Sequence, residues 1–141
     1  MLVRDVMRKN VVVAKPSITI REASQVMGEL HIGSLIVREG EDIVGILTER
    51  DVLLAVAKGV NTEETVVEEI MSKDVVTIEP DKKLEDAVEL MMEHKIKKLP
   101  VVEGKKLVGI ITASDIVVVE PKLIANIASL LSLRLPGYRG G

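Results

Sequence analysis

The sequence predicts an α+β protein made of two β-α-β-β-α units, and three observations carry that expectation. Displacing the chain by 64 residues, the distance from Val3 to Val67, lays Val3–Val52 over Val67–Ile116 without a gap. About two positions in five are then identical, far above chance for unrelated segments. Each copy alternates short β-branched runs with amphipathic stretches of helical period. The stretch Gly45-Ile46-Leu47-Thr48-Glu49-Arg50-Asp51 also returns as Gly109-Ile110-Ile111-Thr112-Ala113-Ser114-Asp115. One such unit buries too little surface to be stable alone. The two are therefore expected to pack about a pseudo-twofold axis, sheet against sheet, with two equivalent clefts between them.

The elements follow in order. A short helical lead-in is expected over Val3–Arg8 and again over Glu64–Ser72. An extended apolar piece comes next, Val11-Val12-Val13 or Val75-Val76-Thr77, closed by Pro16 or Pro80. In the first unit Thr19 and Glu22 have the spacing of a capping box, in which hydroxyl and carboxylate satisfy otherwise orphaned N–H groups. Ile20, Ala23, Val26, Met27 and Leu30 then recur at helical spacing, as do Leu84, Ala87, Val88, Met91 and Met92. The methionines in this stripe read most simply as core. Leu35-Ile36-Val37 and Leu99-Pro100-Val101-Val102 are expected strands, each ended by a turn at Gly40 or Gly104. Their hairpin partners are Ile43–Leu47 and Leu107–Ile111.

A last helix begins at Thr48, reaches about Lys58 and stops at Gly59, whereas its counterpart after Thr112 is cut short before Pro121. Gly59–Thr65 reads as the linker, so the chain divides into residues 1–64, 65–121 and a C-terminal part, 122–141. In that part Leu123, Ile124, Ile127, Ala128, Leu130 and Leu131 predict a further amphipathic helix, ended by Pro136 and followed by a loose tail, Gly137–Gly141. This apolar stripe suits intrachain packing or a dimer contact. The dimer is the expectation, because the two-unit core should close without it.

Composition narrows the function classes. The chain has no Trp, no Phe and a single tyrosine, Tyr138, so a bound base would lie between aliphatic side chains. A formal charge of -3 gives no basic footprint and argues against nucleic acid. Without cysteine there is no disulfide, thiolate nucleophile or zinc–cysteine site, which favours a cytoplasmic protein. The first residues do not resemble a signal peptide, and no apolar run approaches membrane-spanning length. No phosphate-binding Gly-rich loop of the Walker type and no recognisable Ser/His/Asp set points to an enzyme. His31 and His94 are not equivalent under the repeat and have no metal-ligand spacing.

The doubled motif is where chemistry would reside. Thr and Asp three apart at a helix start face one object. That object is either the helix's own first turn, as a cap, or a ligand. An ionised Asp accepts the two donors of a sugar diol, and a hydroxyl beside the positive end of a helix suits a phosphate. The two copies are chemically unequal. Where the first motif has Arg50 the second has Ser114, while Lys97-Lys98 in the second unit replace Gly33-Ser34 in the first.

The doubled Gly-aliphatic-aliphatic-Thr-x-x-Asp, the Leu-Pro-Val at 99–101 and the β-α-β-β-α order resemble a tandem pair of CBS domains. The resemblance covers about Val3 to Val119. It implies a regulatory module without catalysis or cofactor, which binds AMP foremost, or ADP, ATP or S-adenosylmethionine, in clefts between repeats; the alternative is an interaction and dimerisation module whose clefts are vestigial. It also implies that Thr48 and Thr112 hold phosphate, and that Asp51 and Asp115 hold ribose hydroxyls. The base would lie against Val11-Val12 or Val75-Val76 and the strand starts at Gly33-Ser34 or Lys97-Lys98. The first unit departs from the pattern at Ile36, where the second has Pro100. A homodimer through the helices after Thr48 and Thr112, and an unidentified effector protein, are the implied partners.

Overall fold

The structure is a computed structural model and describes residues 1–132. The helices are α1 (Val3–Val6), α2 (Ile20–Leu30), α3 (Glu49–Ala57), α4 (Leu84–His94), α5 (Ala113–Val119) and α6 (Ile124–Ser132). The strands are β1 (Val13–Ala14), β2 (Ser34–Glu39), β3 (Asp42–Thr48), β4 (Lys98–Glu103) and β5 (Lys106–Thr112). Mixed helices and small sheets of this kind make the α+β class plain. The expected tail, Tyr138 included, lies outside the described residues.

Compaction divides the chain differently from the sequence repeat. One unit is Val12–Val75; the other joins Met1–Val11 to the chain from Val76 onward. Each unit therefore takes in the lead-in that precedes the opposite repeat. In the second-repeat unit the Val3 and Arg4 N–H groups donate to Lys82 O and Pro80 O, at 2.8 and 2.9 Å. The same bonds recur 64 residues away in the first-repeat unit, from Val67 N to Ile18 O at 2.9 Å and Glu68 N to Pro16 O at 3.3 Å. Val3 and Val67 are fully buried, which is what fastens each lead-in.

The first-repeat unit holds a three-stranded sheet, β1-β2-β3, with β1 parallel and β3 antiparallel to β2. Among the described residues the second-repeat unit keeps only the β4-β5 hairpin. Val75-Val76-Thr77 is not a strand: a single parallel bridge, Ile78 to Val101, stands where Ala14 pairs with Val37. In the first repeat, too, the strand begins only at Val13, so Val11 and Val12 precede it. Both hairpins otherwise match, with bulges after Val37 and Val101 and positive φ at Gly40 and Gly104. Strands β3 and β5 are offset by 64 residues at both ends, as duplication requires.

Helix α2 starts at the expected box: Thr19 Oγ1 accepts from Glu22 N at 3.1 Å, and Glu22 Oε1 accepts from Thr19 N at 2.9 Å. Its copy, α4, has Lys83 at the cap and only the carboxylate half, Lys83 N to Asp86 Oδ2 at 3.1 Å. His31 and Lys95 end these helices in the left-handed region, at φ 54° and 55°. The expectation of a dimer contact on the C-terminal stripe is corrected. Ile127 and Leu130 lie in the core of the second-repeat unit with Val88, Met91 and Ile116, and Leu123 packs against that core. The reason is local: α5 ends at Val119 and is too short to cover α4, so α6 adds the missing apolar face.

Candidate functional site

Both motifs form where a strand turns directly into a helix. Thr48 ends β3 and caps α3; Thr112 ends β5 and caps α5. Each threonine is extended, and its Oγ1 accepts the N–H of the aspartate three residues on, at 3.3 Å in the first motif and 3.1 Å in the second. The glycines that open the motifs are demanded by packing. A Cβ at Gly45 would fall 2.7 Å from Met71 Cε, and one at Gly109 would fall 2.9 Å from Arg8 O.

Beyond the cap the two motifs part. Asp51 completes a capping box, its Oδ2 accepting from Thr48 N at 2.9 Å and from Thr48 Oγ1 at 3.1 Å. Among the described residues nothing donates to its Oδ1. Asp115 makes no box. Arg8 holds both of its oxygens, Nε to Oδ2 at 3.1 Å and Nη2 to Oδ1 at 2.9 Å. The Asp115 side chain is 16% exposed and that of Arg8 68%. This hydrogen bond, with the carboxylate charge behind it, raises the Arg8 pKa further. Arg8 carries no motif of its own; the sequence signal was that the 64-residue offset lays it on Ser72, a cation over a hydroxyl.

The expected neighbours assemble around each motif with the same register. Ser34 stands opposite Thr48, and Lys98 opposite Thr112. Gly33 O accepts from Glu49 N at 3.1 Å, and Lys97 O accepts from Ala113 N at 2.9 Å, so the strand starts supply further caps to α3 and α5. Ile36 faces Ile46 across the hairpin, and Pro100 faces Ile110. Val12 O accepts from Ile36 N at 3.4 Å, while Pro100 O accepts from Ile78 N at 3.1 Å. Val12 and Val76 each pack, half-buried, against the core of their own unit. Val11 and Val75 join no strand. Arg50 and Ser114 are exposed on the first turns; Lys97 and Lys98 are half-buried, not a fully solvated pair.

Residues 3–58 and 67–121 both match the CBS domain family. The chain belongs to that family. It is 37% identical over 116 residues to the CBS domain-containing protein YhcV of Bacillus subtilis, covering 82% of this chain and 83% of YhcV. It is also 41% identical over 128 residues to the protein MK0525 of Methanopyrus kandleri, where the match takes in 89% of this chain but only 65% of the relative. Among solved structures, the CBS domain pair of protein MJ0100, in complex with 5-methylthioadenosine and S-adenosyl-L-methionine, superposes with a TM-score of 0.79. That pair is 29% identical, with 86% of this chain and 97% of that one covered.

Two cavities lie away from the CBS motifs. A cavity of about 650 Å³ in the second-repeat unit is lined by Glu79, Asp86, Glu89 and Glu93 with Lys82, and one of about 390 Å³ in the first lies beside Pro16 and Gly40. Neither is lined by a motif residue. The acidic lining of the larger one repels a phosphate. No described helix is long and apolar enough to cross a membrane, and no three metal-ligating side chains cluster among the described residues.

Proposed function

We propose that this CBS-domain pair is a regulatory module that binds an adenosine nucleotide, AMP ahead of ADP or ATP, and does no chemistry. The observation that carries the reading is the Asp51 carboxylate, half-buried at the start of α3 with Oδ1 uncommitted. An acceptor-only group so placed suits a ribose diol. The positive end of α3 and the exposed Arg50 suit the phosphate, and Thr48, whose hydroxyl donates to Asp51 Oδ2 at 3.1 Å, can turn that proton towards it. Val12, with the Ser34 hydroxyl beside it, would line the base in one unit; Val76 and Lys98 are their counterparts beside Thr112 and Asp115. Occupancy would pass to an effector protein as a change in shape or rigidity, from a homodimer built on α3 and α5. Those helices expose Leu53 at 68%, Val56 at 56% and Val118 at 79%, apolar side chains that on each helix suit a second copy.

A second reading is an S-adenosylmethionine sensor. It is favoured by the ligands of the MJ0100 pair, both of which carry the same adenosine group. Thermal melts with AMP, ADP, ATP and S-adenosylmethionine separate the two, because the preferred ligand stabilises the native state most at equal concentration. Asp51→Ala and Asp115→Ala supply the site test. Losing a charge-assisted hydrogen bond costs about 1.5–3 kcal/mol, roughly ten- to a hundredfold in affinity. Equal melting losses with unchanged nucleotide affinity in both variants would reduce the motifs to helix caps.

A further inference from the structure

The two motifs differ in what holds the aspartate at rest, and the difference comes from outside the motif. The lead-in of each unit pairs with the motif strand in one register. Arg8 N donates to Ile110 O at 2.8 Å and Arg8 O accepts from Ile110 N at 2.9 Å; Ser72 and Ile46 exchange the same two bonds at 3.0 Å. The backbone therefore brings position 8 to Asp115 and position 72 to the first motif in equivalent fashion. Only the side chains differ. Arg8 reaches the carboxylate with two parallel donors, Nε and Nη2, while Ser72 makes no such bond among the described residues.

We infer that Arg8 acts as a built-in occupant of Asp115, standing where a ribose would stand, so that ligand fills the Asp51 site first. The inference rests on the adenosine reading above. A cis-diol and a guanidinium edge offer a carboxylate the same thing, two parallel donors, and the bidentate pair uses both oxygens at once. A diol arriving at Asp115 must displace Arg8; one arriving at Asp51 finds Oδ1 open. Because Arg8 is 68% exposed, the pair is weak and sets an order of filling, not a block. An exposed ion pair of this kind corresponds to about a 1.5- to fivefold effect on the competing equilibrium. Arginine stays charged across the working pH range, so salt and not pH tunes the competition.

The test isolates the second site by Asp51→Ala and compares AMP with 2′-deoxy-AMP by calorimetry, with and without Arg8→Ala. Any service Arg8 gives the phosphate cancels in the ratio of the two affinities. The preference for AMP over its deoxy form should rise by about 1.5- to fivefold when Arg8 is removed. Arg8→Lys, which keeps the charge without the fork, should fall between. High salt should raise the preference in the Arg8 form and leave the Arg8→Ala form unchanged. An unchanged or reduced preference in Arg8→Ala overturns the inference while leaving the site intact. Absence of AMP binding to the unaltered chain removes the adenosine reading itself, and this inference with it.

Discussion

Gly45 and Gly109 occupy equivalent positions, yet their replacement by alanine should not be equivalent. At Gly45 the three atoms nearest the added Cβ all belong to the Met71 side chain, with Cε at 2.7 Å and Cγ at 2.8 Å. A thioether chain has three rotatable bonds and can be repacked. At Gly109 it meets Met7 Sδ at 2.7 Å and also Arg8 O at 2.9 Å. That carbonyl is bonded to Ile110 N at 2.9 Å and cannot retreat without opening the bridge. Overpacking costs about 1–3 kcal/mol, offset by about 0.4–1 kcal/mol because alanine narrows the unfolded ensemble. Gly45→Ala should thus sit near the low end, and Gly109→Ala about 1 kcal/mol or more below it. That gap is a melting-point difference of several degrees, roughly 2–8 °C. Thermal and urea unfolding of both variants measures it. Rescue is diagnostic: Met71→Ala should recover most of the Gly45→Ala loss, whereas Met7→Ala should recover little of the Gly109→Ala loss. Equal rescue in both would refute the claim that a backbone carbonyl is the obstacle.

Two other outcomes follow from the same geometry. Glu22 is held below its ordinary value of 4.5, first by the Thr19 N–H and then by the Thr19 hydroxyl. A carboxylate lowered on folding stabilises above its unfolded value and loses that contribution as pH falls through the folded one. The melting penalty of Glu22→Ala should therefore be present at neutral pH and shrink in acid; a penalty constant from pH 7 to pH 3 would contradict this. Leu53→Glu and Val118→Glu place charges on the exposed faces of α3 and α5. Both should shift a sedimenting dimer to monomer without lowering secondary structure, and a parent chain that sediments as a monomer at micromolar concentration ends the homodimer proposal.

Much of the fold was legible because its signals were local and repeated. The Thr19–Glu22 box, the glycine turns and the Thr48 and Thr112 caps depend on residues within four positions of each other, where spacing alone sets geometry. Other features were hidden for a physical reason. Val75-Val76-Thr77 has strand composition, but pairing requires a neighbour's free edge, and composition does not report one. The exchange of lead-ins pairs residues dozens of positions apart, which a gapless repeat cannot reveal. The stripe of α6 showed that a face was apolar, but not what would cover it.

The site divides along the same line. Thr48, Asp51, Thr112 and Asp115 were visible because capping and ligand acceptance need the same arrangement, a hydroxyl and a carboxylate one helical turn apart. For that reason their presence does not distinguish the two roles; what differs between the copies is the hydrogen-bonding capacity left over. In the first motif the box engages one oxygen and leaves the other. In the second, a residue 107 positions away in sequence engages both. Altering Asp51 would remove box and acceptor together, so a duplicated site can diverge with less loss through the segment that packs beside it. Position 8 against position 72 is such a change: the backbone bonds to the motif strand persist, and only the partner offered to the carboxylate differs.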